Sequence, residues 1–178
     1  ELGWSNTTFS QVFSITSIIG GVLGMLIGGY LVDYFGKIRM LNLYLGIITF
    51  VIAVFAFSTN LWSNTTMIYG FILIYYTLCT FLNIAIFASA MQLCWKTVAA
   101  TQFTLYMALS NMGRAFGAGL LGILKLNFSW EYIFLLISIL QVVMAFMMQF
   151  INFTKHKTKV DSFTILNKVL ITPQVIKD

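Results

Sequence analysis

Between Phe9 and Phe150 the chain is almost entirely long apolar runs, and this limits its folds more than any other feature. Five stretches, roughly 9–32, 40–58, 67–93, 100–124 and 130–150, each approach or exceed the about 20 residues needed to cross a bilayer. Inside lipid a backbone has no water to bond with, so a spanning segment is a helix or a barrel strand, and runs this long are helices. The connections are short, which makes neighbouring helices antiparallel. The expected fold is all-α: a polytopic membrane helix bundle over residues 1–150, followed by a basic cytoplasmic tail over 151–178.

Composition removes the other broad classes. Hydrophobic residues make up 60% of the chain and charged residues 8%, against about 25% charged in a soluble domain. The net charge of +5 does not imply a nucleic-acid partner, because the cations sit in loops and tail with no basic, aromatic-studded face. Cys79 and Cys94 are 15 positions apart, about 22 Å along a helix, too far for a disulfide. The only histidine, His156, is in the tail, and no Cys/His spacing suggests a metal. No cofactor is expected. With no interfacial Ser/His or His/Asp set, a membrane enzyme such as a lipid-modifying transferase is disfavoured. The sequons at Asn6, Asn64, Asn127 and Asn152 read as chance in a chain rich in Asn and Thr.

The few charges orient the helices. With the turn around Asp33–Arg39 inside, Lys37, Arg39, Lys96, Lys155, Lys157 and Lys159 all fall inside, and of the loop cations near spans only Lys125 falls outside, as the positive-inside rule requires. The same arrangement puts Trp4, Trp62 and Trp130 at the outer interface and Trp95 at the inner one, forming aromatic belts.

That turn reads Gly28-Gly29-Tyr30-Leu31-Val32-Asp33-Tyr34-Phe35-Gly36-Lys37-Ile38-Arg39. Gly28 and Gly29 permit close helix approach, Asp33 suits a helix N-terminus, Gly36 permits a positive-φ turn, and Lys37 and Arg39 hold the turn inside. A plain polar turn with a capping aspartate is the simpler alternative. The order Gly-x-Leu-x-Asp-x-x-Gly-Lys resembles the signature loop of the major facilitator superfamily, departing from it at Tyr34 and Ile38, where basic residues are frequent. The resemblance implies a gating loop made by Gly29, Asp33, Gly36, Lys37 and Arg39. It also implies that this loop follows the second helix of a six-helix half. The chain would then supply about five of the six helices of a C-terminal half, with the N-terminal half and one more helix preceding Glu1.

Gly20, Gly24 and Gly28 in the first run form a small-residue seam at four-residue spacing, suited to close packing. The second run, 40–58, is nearly all apolar and is expected against lipid. In the third, Tyr76, Thr80, Asn83 and Phe87 share one helical stripe, which either lines a substrate path or bonds to neighbouring helices. In the last, Gln141, Ala145 and Gln149 share a stripe expected to pack on neighbours. The tail, with a weak apolar pattern around 163–170, is either a surface amphipathic helix or, as favoured here, mostly disordered.

The fourth run contains the sharpest signal. Arg114 falls near its middle, with Ser110 and Asn111 one turn before it and Gly117 and Ala118 one turn after. An arginine at that depth costs at least about 2.5–3.5 kcal/mol, so it must pair or face an aqueous cavity. No carboxylate lies at that depth in the sequence. Two readings stay open: an anion site, since the guanidinium fork suits carboxylate or phosphate, or a structural pair with a helix outside this sequence. The segments Ala100-Thr101-Gln102-Phe103, Ser110-Asn111-Met112-Gly113-Arg114, Gly117-x-Gly119 and Trp130-Glu131-Tyr132-Ile133-Phe134, with Leu2-Gly3-Trp4-Ser5, resemble the AmpG-type muropeptide permeases.

The resemblance implies a secondary transporter of the bacterial inner membrane that imports anhydromuropeptides in cell-wall recycling, by proton symport. It also extends to acetyl-CoA and siderophore porters of the same branch. It would place Arg114, Asn111, Asn83, Tyr76 and Thr80 around a small anionic substrate. The expected partners are that substrate, membrane lipids and the missing N-terminal half; a truncated, inactive fragment is the remaining alternative.

Overall fold

The computed structural model describes residues 4–150 and 153–171. Among them are six helices: α1 (Asn6–Phe35), α2 (Lys37–Phe57), α3 (Thr65–Leu93), α4 (Ala99–Asn127), α5 (Trp130–Gln149) and α6 (Phe153–Ile171). The helix starts are signalled locally. The Ser5 hydroxyl accepts from the Thr8 N–H at 3.2 Å, and the Asn64 side-chain oxygen Oδ1 accepts from the Thr66 and Met67 N–H groups. Such caps contribute about 1 kcal/mol each. Gly36, at φ 94°, breaks α1 from α2 in a conformation that β-carbon-bearing residues avoid.

Four helices, α1, α2, α3 and α5, are long and apolar enough to cross a membrane. Helix α4 has the length, 29 residues, but its polar middle sets it apart from the four.

The packing corrects one expectation. Helix α2 is not the lipid-facing member; it is the centre of the group, packed between α3 and α5. Its residues Leu41, Tyr44, Leu45, Ile48, Ile52, Phe55 and Ala56 are buried, while Leu43, Phe50, Val54 and Phe57 on the opposite face stay exposed. Lipid is as apolar as leucine, so a uniformly greasy helix carries no mark telling which side meets protein. The α2–α5 contact is held by polar ties. Thr49 Oγ1 donates to Gln141 Oε1 at 3.2 Å and Ser138 Oγ donates to the Thr49 carbonyl at 3.4 Å, which accounts for Gln141 in the last stripe.

The glycine seam meets α3. A β-carbon on Gly20 would lie 2.9 Å from Tyr76 Cδ1, one on Gly28 would lie 3.1 Å from Phe81 Cδ1, and one on Gly24 would overlap the Thr80 methyl. Gly29 has open space around it, so of the Gly28–Gly29 pair only Gly28 serves close approach among the described residues. Helix α1 passes through a π-helical turn over Gly24–Gly28.

The tail is the second correction. Residues Phe153–Ile171 are helical, where disorder was favoured. The chain has no glycine beyond residue 150, and its single proline, Pro173, lies after the helix, so nothing interrupts it. Phe163 packs on Trp95, ring centroids 6.4 Å apart. Residues 172–178 lie outside the described set.

Candidate functional site

The two ends of the bundle are chemically distinct. At one end Trp4, Trp62 and Trp130, with Phe55, Phe71 and Phe134, line an aromatic hollow of about 800 Å³. Lys125 Nζ sits 4.8 Å above the Trp130 ring. At the other end the α1–α2 elbow, the last turn of α3 and the start of α6 converge: Ile38, Gln92, Phe153 and Lys157 line one hollow. The elbow and the basic tail therefore share an end, and the three outer tryptophans share the opposite one.

At the elbow, Asp33, Gly36, Lys37, Arg39 and Gln92 surround an open hollow of about 520 Å³. Helix α1 runs past Asp33 to Phe35, and Gly36 caps α2 without any side-chain bond. Asp33 thus does not cap a helix N-terminus, as its spacing suggested. It sits exposed in the last turn of α1, on the hollow's wall.

Arg114 lies 15 residues into α4, about 22 Å from its start and about 20 Å from its end at 1.5 Å per residue. The guanidinium does not run toward either end. It reaches sideways to α3, where Nη2 donates to Asn83 Oδ1 at 3.2 Å. This partner lies within the chain and is neutral, and among the described residues no carboxylate pairs with Arg114. Arg114 and Asn111 are both exposed, and α4 buries no residue in this chain. Asn111 precedes Arg114 by three positions, which places it on the same face.

Tyr76 and Thr80 do not join this group in the same way. Both face the α1 seam, under Gly20 and Gly24, and the Thr80 hydroxyl donates to the Tyr76 carbonyl at 3.0 Å. The third-run stripe is therefore divided: its first half packs on α1 and Asn83 reaches α4. One residue that the stripe logic missed is Gln102. Its Oε1 accepts from the Trp95 N–H at 2.7 Å, closing the α3–α4 turn, and Phe103 packs edge-on to Phe87 at 6.3 Å. Its place just inside the start of the helix was the available signal.

The described residues thus form an all-helical bundle with four helices long and apolar enough to cross a membrane, a charged elbow at the basic end and Arg114 midway along α4. The Major Facilitator Superfamily profile matches residues 1–175; the chain belongs to that superfamily of secondary transporters and is a multi-pass membrane protein. The family is generally non-enzymatic. No curated protein and no solved structure matches the chain.

Proposed function

We propose that this chain forms part of the binding cavity of a secondary transporter for an anionic solute, with Arg114, Asn83 and Asn111 as its contact points. The supporting observation is the Arg114–Asn83 bond. A neutral partner orients the guanidinium without cancelling its charge, so a substrate carboxylate or phosphate gains a charge-assisted fork. Tyr76 and Thr80 act behind this surface, fixing α3 against α1. Asp33, with Gly29, Gly36, Lys37 and Arg39, forms the inner elbow that latches one state of an alternating-access cycle.

The AmpG-like motifs favour an anhydromuropeptide, a sugar bearing carboxylates, moved inward across a bacterial inner membrane by proton symport. The described acids Asp33, Glu131 and Asp161 stand at helix ends or in the tail, so a proton carrier beside Arg114 would come from the preceding half of the transporter. Uptake of labelled anhydromuropeptide by cells expressing the complete protein tests this. Arg114→Ala is expected to abolish uptake with membrane levels unchanged, and acetyl-CoA is not expected to compete. Normal uptake by Arg114→Ala would overturn the site; competition by acetyl-CoA would overturn the cargo.

A further inference from the structure

Beneath the inner end of α3, a hollow of about 230 Å³ lies between the bundle and α6, lined by Ile38, Ser89, Gln92, Leu93, Phe153 and Lys157. It adjoins the elbow hollow through Ile38 and Gln92, which line both. Its chemistry is two-sided. Ile38, Leu93 and Phe153 make an apolar wall, and Lys157 and the Gln92 amide supply polar hydrogen-bond donors. The Ser89 hydroxyl is already committed to the Ala85 carbonyl at 2.7 Å.

The surrounding charge favours an anion. Lys37 and Arg39 stand on the adjoining hollow, and Lys155 and Lys159 flank Lys157 on α6. The nearby carboxylates are Asp33, which lines the adjoining hollow, and Asp161, one turn along α6. The first turn of α6 also begins at Phe153, on the hollow's wall. The level within the membrane follows from Trp95, whose ring packs on Phe163 of α6: indoles settle at the headgroup layer. A cation over an apolar wall at that depth suits a group that carries a phosphate on a hydrocarbon stem. A free phosphate would leave the wall unused.

We propose that this hollow binds the headgroup of an anionic phospholipid, with Lys157 on the phosphate and the first acyl carbons along Ile38, Leu93 and Phe153. The bound lipid fastens α6 to the bundle beside the elbow. The site is separate from the Arg114 cavity and does not depend on what that cavity carries.

The test is lipid retention by the complete protein, delipidated in mild detergent and titrated with phosphatidylglycerol or phosphatidylcholine, with bound lipid read by native mass spectrometry. Phosphatidylglycerol is expected to be retained in preference to phosphatidylcholine. One lysine near an anionic headgroup corresponds to about a fivefold change in affinity, so Lys157→Gln should lower retention about fivefold. Lys159→Gln removes the same charge from a position two residues on that does not line the hollow, and should lower retention by clearly less. Equal losses in the two variants, or none in either, would overturn the site. Displacement of the lipid by inorganic phosphate at equal concentration would overturn the lipid assignment.

Discussion

The α1–α3 seam allows the most direct calculation. At Gly24 an added β-carbon would overlap the Thr80 methyl and stand 3.5 Å from Ile84 Cδ1. The helices cannot separate there without also opening the Gly20–Tyr76 and Gly28–Phe81 approaches on either side. Gly24→Ala is therefore an overpacking change, expected to cost about 1–3 kcal/mol, partly offset by the better helix propensity of alanine, about 1 kcal/mol. Gly21→Ala, with nothing within 4 Å of its added carbon, gains the propensity alone and should be neutral or slightly stabilising. Thr80→Ala removes the obstructing methyl, so the Gly24→Ala/Thr80→Ala pair should recover most of the loss, a coupling of about 1 kcal/mol or more. Unfolding by SDS titration from detergent micelles, followed by circular dichroism, measures all four variants. Equal effects of Gly21→Ala and Gly24→Ala, or strict additivity in the double variant, would refute the seam.

Other outcomes follow from single contacts. Gly36→Ala places a β-carbon at φ 94° and should destabilise by about 1 kcal/mol or more, read in the same SDS titration. Gln141→Leu breaks the tie to Thr49 and should cost about 0.6 kcal/mol, the average for such bonds between membrane helices; a double-mutant cycle with Thr49→Val isolates it. Burial pushes the Cys94 thiol above its ordinary range. Maleimide should accordingly label Cys94 slowly at neutral pH, faster as pH rises and the thiolate forms, and fastest after denaturation, as mass spectrometry of the labelled chain will show.

Much of this fold was legible because charge is scarce in the chain. Each cluster of cations marks a helix end, and the structure gathers the elbow and tail at one end and three tryptophans at the other. The seam was legible too, since Gly20, Gly24 and Gly28 recur at one face of a helix. Burial of α2 was not, because its residues satisfy lipid and protein equally. The α6 helix was only the less favoured of two readings, because its apolar pattern is weak alone and gains meaning from contacts such as Trp95–Phe163. At the candidate site, the sequence pointed to Arg114 by its cost in lipid, and to Asn83 by its stripe. It did not show that the two bond each other, nor that Tyr76 and Thr80 turn toward the glycines of α1. Those facts depend on how α1, α3 and α4 cross, which a spacing rule for one helix does not contain.

Whether Arg114 faces an aqueous, anion-attracting cavity can be measured by charge-selective labelling one turn away. With Cys79 and Cys94 replaced by serine in the complete protein, Asn111→Cys should react several-fold faster with an anionic methanethiosulfonate than with a cationic one. The preference should vanish when Arg114→Gln is added. Failure of either reagent to reach position 111, or a preference unchanged by Arg114→Gln, would place the guanidinium in a packed or lipid-facing setting and contradict the transport site proposed for it.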